Sequence, residues 1–185
     1  MKWEAPPFWT ENLLQGSAFW MGYKTQLYRH YPLTEGAIVG EAVSLISGTL
    51  KEGHKLECEV MYKNLNVSTN SQKRADLVIK NNDSIEAVIE VKRAKSSNKK
   101  VEEDFKRLAK FHESNPSSRC FLLLVSQKFK PTNYINEKGE AVLTVVNGDN
   151  YIAKVRRACK AATSFKSKEN AHYSCLIEVV SKKNI

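Results

Sequence analysis

RADLVIKNNDSIEAVIEVKRAK, residues 74–95, decides how this chain is read. Two apolar runs, Leu77 to Ile79 and Ile85 to Val91, flank the turn-forming residues Asn81, Asn82 and Asp83, which is the pattern of an antiparallel β-hairpin. The second run is built for a protein interior. Yet it carries Glu90 and Lys92, and neither residue type is ordinarily buried without a partner. Residues of like parity on a strand share a face, so Glu90 and Lys92 project together. If Asn81, Asn82 and Asp83 all belong to the connection, Asp76 pairs with Val88 and stands diagonal to Glu90 on the same face. A two-residue connection sends Asp76 to the opposite face. The turn therefore determines whether the two acids meet.

Outward from the hairpin, residues 1–16 are aromatic and proline-rich and read as an irregular surface segment, with a helix opening at Gly16 and Ser17, running to about His30 and ended by Pro32. Thr34 is an N-cap for a second helix, in which Ile38, Ala42, Leu45, Ile46 and Thr49 recur at helical spacing. HKLECEVMY alternates Leu56, Cys58 and Val60 against Glu57, Glu59 and Met61, a half-buried strand, and the polar loop NLNVSTNSQK follows it. After the hairpin, VEEDFKRLAKFHES reads as a helix with the apolar stripe Val101, Phe105, Leu108, Ala109, Phe111 and His112, and with Asp104, Lys106 and Arg107 toward solvent. RCFLLLVSQ is a continuous apolar run, as a central strand requires. NEKGE marks a turn, IAKVRRACKAATSF reads as a basic helix, and AHYSCLIEVVS as a last strand. The expectation is an α/β fold with a mixed central β-sheet flanked by helices, in one domain. Its parts are an aromatic and helical extension over 1–33, a core over 34–126, and an insert, basic helix and last strand over 127–185.

A chain of 185 residues, 42% hydrophobic and 26% charged, has the size and composition of one soluble domain. Twenty-nine Lys and Arg against 20 Asp and Glu leave a formal charge of +9, which favours polyanionic partners, nucleic acid first. Cys58, Cys120, Cys159 and Cys175 form no C-x-x-C pair and have no histidine at ligand spacing. Cys58, Cys120 and Cys175 lie in strand-like runs and read as buried, reduced thiols, which fits the cytoplasm. MKWEAPPFWTENLL lacks the apolar stretch of a signal peptide, and no segment reaches the length of a membrane span, so no membrane partner is expected. His30, His54, His112 and His172 show no spacing that suggests a metal or a catalytic base.

Two carboxylates and a lysine focused on the end of a strand pair suit a hard divalent cation. Mg²⁺ accepts one or two carboxylates and keeps waters, leaving room for a phosphate oxygen and a nucleophilic water. A lysine beside it can orient that water or stabilise developing charge. Asp76 in RADLVIK, followed after the hairpin by Glu90-Val91-Lys92 in IEVKRAK, resembles the PD-(D/E)xK nuclease superfamily, the restriction endonuclease-like fold. The resemblance spans residues 34–126, in the order helix, three strands, helix, strand. It implies Mg²⁺ or Mn²⁺ held by Asp76 and Glu90, with Lys92 assisting the attacking water. Many members add a Glu from the helix before the first strand; Glu41 occupies that place, ahead of Glu35 at the helix start. Ala75 stands where the motif has its Pro.

The implied function is metal-dependent hydrolysis of DNA phosphodiesters, in restriction, phage defence or DNA processing, with RNA a second candidate and a homodimer or larger complex compatible with cutting both strands. Lys73 and Arg74 before the motif, and Arg93, Lys95, Lys99 and Lys100 after it, are candidates for phosphate contact. Glu86 shares the Glu90 face but lies nearer the turn and reads as solvated. The competing reading is a non-catalytic nucleic-acid-binding or protein-interaction module on the same fold.

Overall fold

The hairpin forms, as part of a seven-stranded mixed sheet in a computed structural model that describes residues 3–28, 33–65, 67, 72–95, 98–142, 145–162 and 171–185. Along the chain these residues give α1 (Trp9–Leu27), α2 (Glu35–Ser47), β1 (His54–Met61), a 3₁₀ turn (Tyr62–Leu65), β2 (Arg74–Asn81) and β3 (Ser84–Arg93). There follow α3 (Asn98–Ser114), β4 (Arg119–Ser126), β5 (Val145–Asn147), β6 (Tyr151–Ala162) and β7 (Ala171–Ser181). The strand order is β1-β2-β3-β4-β7-β6-β5. β3 and β4 run parallel, joined by α3, and every other neighbouring pair is antiparallel. The α/β class and the mixed, helix-flanked sheet are as expected.

Alternation in the central strands feeds two cores. Ala87, Ile89 and Val91 of β3, with Phe121, Leu123 and Val125 of β4, pack under α1 and α2 with Trp9, Leu13, Met21, Ile38 and Ile46. Val88, Cys120, Leu122 and Leu124 face α3 and its buried Val101, Phe105, Leu108 and Phe111. Thr34 caps α2 as its residue type suggests, its Oγ1 accepting from the Ala37 N–H at 3.1 Å.

Several expectations are corrected. The first helix begins at Trp9, after Pro6, Pro7 and Phe8, because Trp9, Leu13, Leu14, Ala18 and Met21 make a buried helical stripe that extends through Gly16. Gly16 serves helix packing: a Cβ there would fall 2.3 Å from Leu45 Cδ2 of α2. The helix ends at Leu27; His30 and Pro32 lie outside the described residues. The segment read as a basic helix is β6 as far as Ala162, with Thr163, Ser164 and Phe165 outside the described residues; buried Tyr151, Ala153 and Val155 alternate with half-buried Ile152, Lys154 and Arg156. Its alanines and basic residues favour a helix locally, but pairing along the whole of β7 decides the outcome.

β1 keeps the predicted alternation only in part. Glu59 adopts a left-handed φ of 54°, and the strand changes face there, Leu56 packing with the α1–α2 core and Val60 with the α3 core. Cys58 is exposed, against the expectation, while Cys120 and Cys175 are buried thiols as expected. Among the described residues no helix is long and apolar enough to cross a membrane.

One buried charge network anchors the N-terminal segment to the sheet. Glu178 of β7, 6% exposed, accepts from Arg119 Nε and Nη2 at 2.8 and 2.9 Å and from Arg156 Nη1 at 2.6 Å. The same guanidiniums donate to the carbonyls of Ala5 and Glu4. Glu178→Ala would leave two cations without their anion. It should lower the unfolding free energy measured in urea by about 3 kcal/mol, whereas an ordinary surface pair would cost under about 1 kcal/mol.

Candidate functional site

Whether Asp76 and Glu90 meet is settled by two local features of the hairpin. The connection is the two-residue turn Asn82–Asp83, with Asn81 opposite Ser84 and Lys80 opposite Ile85, and Asn82 takes the left-handed φ of 52° that asparagine tolerates. On its own this turn would send Asp76 to the wrong face. Between Ile79 and Lys80 the register shifts: Ile79 lies opposite Ala87 and Leu77 opposite Ile89, leaving Glu86 as a surplus residue in β3. The bulge restores parity and brings Asp76 level with Glu90. It also turns Glu86 aside, where it pairs with His54 at 2.9 Å.

Asp76 sits where the sheet comes apart. The β2–β3 ladder stops at Leu77 and Ile89, and on the other side Asp76 faces the left-handed Glu59 of β1. The Val91 N–H, beyond the end of that ladder, donates to Asp76 Oδ2 at 2.6 Å. Glu90 is 2% exposed, and its Oε1 accepts from the Tyr62 hydroxyl at 2.7 Å and from Arg107 Nε at 3.3 Å. Lys92 Nζ lies 3.1 Å from Glu35 Oε1 and 3.2 Å from Asp104 Oδ2, and Arg107 also pairs with Asp104.

The structure thus unites Asp76, Glu90 and Lys92, and adds Glu35, Tyr62, Asp104 and Arg107. The helix acid at the centre is Glu35, not Glu41. Glu41 lies six residues on, about 240° round α2, half-exposed and outside these contacts. Asp104 is buried and Arg107 half-buried, against the expectation of solvent exposure; Lys106 is exposed as expected. The sequence held a signal for Asp104. It falls three residues after Val101 and four before Leu108, within the apolar stripe. Tyr62 had no comparable signal, since its place depends on the turn after β1. Lys73, Arg74, Lys95, Lys99 and Lys100 are exposed and Arg93 half-buried, and none of the six joins the acid contacts above; Lys95 stands over the Phe129 ring at 5.8 Å.

Four carboxylates, Glu35, Asp76, Glu90 and Asp104, meet two permanent cations, Lys92 and Arg107. The surplus of two negative charges falls on Asp76 and Glu90. Burial, then the charge of Asp76, push the Glu90 carboxyl up to about 8, against the pull of Arg107 and Tyr62. Asp76 is raised by burial too, opposed by the Val91 N–H and by a hydrogen bond with Glu90. Burial would lower Lys92, but Asp104 and Glu35 outweigh it and the ammonium is held above its ordinary value. With the Glu90 carboxyl pushed up to about 8, a proton there is one way of removing surplus charge; a cation is the other.

The donor set fits a hard cation in one respect. Asp76 and Glu90 offer adjacent carboxylate oxygens with unneutralised charge, the protein share that Mg²⁺ takes when water and phosphate oxygens complete its shell. Among the described residues there is no group of three or more His, Cys, Asp or Glu arranged to hold a metal ion, so the pair would act without a third protein carboxylate. A scan against protein-family models, a search of curated proteins and a search of solved structures each found no match to this chain.

An acid whose pKa is higher folded than unfolded binds its proton more tightly in the folded state, so stability falls as pH rises from 4.5 through about 8. In chelator, wild-type protein should lose urea stability across that range. Glu90→Gln should flatten the profile and exceed wild type above it by on the order of 2 kcal/mol. Parallel profiles for the two proteins would show that Glu90 ionises normally.

Proposed function

We propose that this chain is a metal-dependent nuclease that hydrolyses phosphodiester bonds of DNA, on a restriction endonuclease-like core. The observation that carries this reading is the meeting of Asp76 and Glu90 beside Lys92, with surplus negative charge, in a chain of net charge +9. Asp76 and Glu90 would hold Mg²⁺ or Mn²⁺. The ion would supply acidification of a bound water and neutralisation of charge on the phosphate. Lys92 keeps its ammonium charged and fixed between Glu35 and Asp104, so it can orient a water or stabilise a phosphorane-like oxygen without reorganising. Arg107 and Tyr62 hold the Glu90 carboxylate from the α3 side.

A non-catalytic nucleic-acid-binding or protein-interaction module is the second reading. It draws on the fact that Lys92 is doubly ion-paired and Glu90 Oε1 doubly hydrogen-bonded within the chain itself. Metal binding separates the two. Circular, linear and single-stranded DNA, incubated with purified protein in Mg²⁺, Mn²⁺ or chelator, should be cut only with metal. Asp76→Ala, Glu90→Ala and Lys92→Ala should each reduce the rate by about 10²-fold or more while leaving DNA affinity in chelator largely unchanged. Cleavage undiminished in all three variants sinks the nuclease reading. DNA binding with no Mn²⁺ uptake by calorimetry establishes the second one.

A further inference from the structure

Glu90, Lys92 and Ala94 share the α3 face at the end of β3, so the crevice that holds the acid centre continues one position beyond Lys92. There it opens into a cavity of about 270 Å³. Ala94 lies on its floor and extends the parallel ladder, its N–H donating to the Val125 carbonyl at 2.7 Å. Beside it are Leu124, which stands opposite Lys92 in the β3–β4 register, and Val101, three residues before Asp104 on α3. The outer wall is the segment after β4, with Phe129 and Tyr134. That wall is held in place. Pro131 is buried, its carbonyl accepts from the N–H groups of Tyr134 and Ile135 at 2.9 and 3.1 Å, and Ile135 packs in the α3 core.

The lining has the chemistry of a planar ring with a polar edge. Val101 and Leu124, 5% and 1% exposed, make the floor apolar, and Phe129 and Tyr134 add aromatic rings. The amides of Asn98 and Asn133 and the Tyr134 hydroxyl both donate and accept, and among the described residues none of them has a hydrogen-bond partner in the chain. Among the described lining residues there is no acid, and Lys130 is the one cation, so charge alone does not choose the ligand.

We propose that this cavity receives an unstacked nucleobase of a single-stranded nucleotide chain whose backbone passes Lys92. The apolar floor and the aromatic rings match the face of a base, and amides that donate and accept match its edge. An aliphatic ligand would leave the amides unused, and an inorganic anion would meet an apolar floor. A base paired in a duplex stays in its stack, so the site selects unpaired strands. The course of the backbone past the acid pair rests on the nuclease reading; the base site rests on its own lining.

Phe129→Leu keeps an apolar side chain and removes the ring, and Asn133→Ala removes an exposed amide, so both should fold, which far-ultraviolet circular dichroism checks. Tyr23→Leu, on the exposed face of α1 across the sheet, is the control for loss of an aromatic ring elsewhere. Two short fluorescein-labelled single strands of equal length, one carrying all four bases and one with every base removed, are compared by anisotropy in chelator, so that no cleavage intervenes. Wild type should prefer the base-carrying strand at least about tenfold. Phe129→Leu and Asn133→Ala should each lose about fivefold or more of that preference while binding the abasic strand as wild type does; Tyr23→Leu should keep it within about twofold. A duplex of the same sequence should be bound equally by wild type and Phe129→Leu. Equal binding of the two strands by wild type, or a preference that Phe129→Leu leaves intact, overturns the base site. Metal-dependent cutting with that preference intact leaves the nuclease reading standing without the site. A preference that depends on Phe129 and Asn133, with no cutting in any metal, supports the site and removes the nuclease.

Discussion

Glu86 has no partner in the β2–β3 ladder, and that surplus residue sets the geometry of the centre. A strand repeats every two residues, so one insertion inverts which side chains share a face. The tight Asn82–Asp83 turn alone would leave Asp76 facing away from Glu90. With the bulge, both acids and Lys92 stand on the α3 side of the sheet. Register at the turn and register at the acids are therefore separate facts, reconciled a few residues apart. A hairpin of this length could have met the same end with a longer turn. The tight turn and bulge together also place Glu86 against His54 at the sheet edge.

Once the acids meet, electrostatics constrains everything around them. Two carboxylates close together in a buried site cannot both ionise cheaply. The chain surrounds them with Arg107, Lys92, the Tyr62 hydroxyl and the Val91 N–H, and still falls short by two charges. Asp104 helps and hinders. It fixes Lys92 and Arg107, the two cations the acids need, but adds to the negative potential that raises Glu90. The network is balanced for holding geometry rather than for neutrality. That distinguishes it from the Glu178 cluster, where two arginines more than match one acid and the outcome is anchorage of the chain.

Much of this was legible in the sequence, for reasons that differ by element. The hairpin, α3, β4 and β7 announce themselves because burial on one or both faces imposes a period that local residues obey. β6 does not, since Ala153, Ala158, Ala161 and the basic residues between them suit a helix as well as a strand. Only pairing along the length of β7 decides, and that is tertiary information. At the site, parity puts Glu90 and Lys92 on one face, but Asp76 joins them only through the bulge at Glu86, which the sequence does not mark. Glu35 could not be preferred to Glu41, because the choice depends on how the start of α2 approaches the end of β3. Tyr62 and Arg107 were hidden for the same reason: each reaches Glu90 from an element whose docking the sequence does not encode locally.

The position of the centre follows from the topology as well as the register. β3 is parallel to β4 and hands over to α3 at its carboxyl end, so the chain must leave the sheet just beyond Lys92. β2 and β3 part at the same level, so the Val91 N–H lies beyond the end of their ladder, and the Asp76 carboxylate accepts from it. A crevice at the carboxyl end of a parallel strand is where open α/β sheets take ligands, because loops and a helix start there while the strands supply rigid anchors. Asp76 consequently has two tasks. One oxygen closes the fork in the backbone, and its negative charge acts on Glu90 and Lys92. Removing the side chain would therefore disturb strand pairing and site charge at once, whereas Asp76→Asn retains an oxygen for the Val91 N–H and removes the charge alone. That substitution separates the structural task from the electrostatic one. With it, Glu90 loses its main charged antagonist and its carboxyl must fall back toward the ordinary range, leaving burial as the chief cause of any elevation that remains.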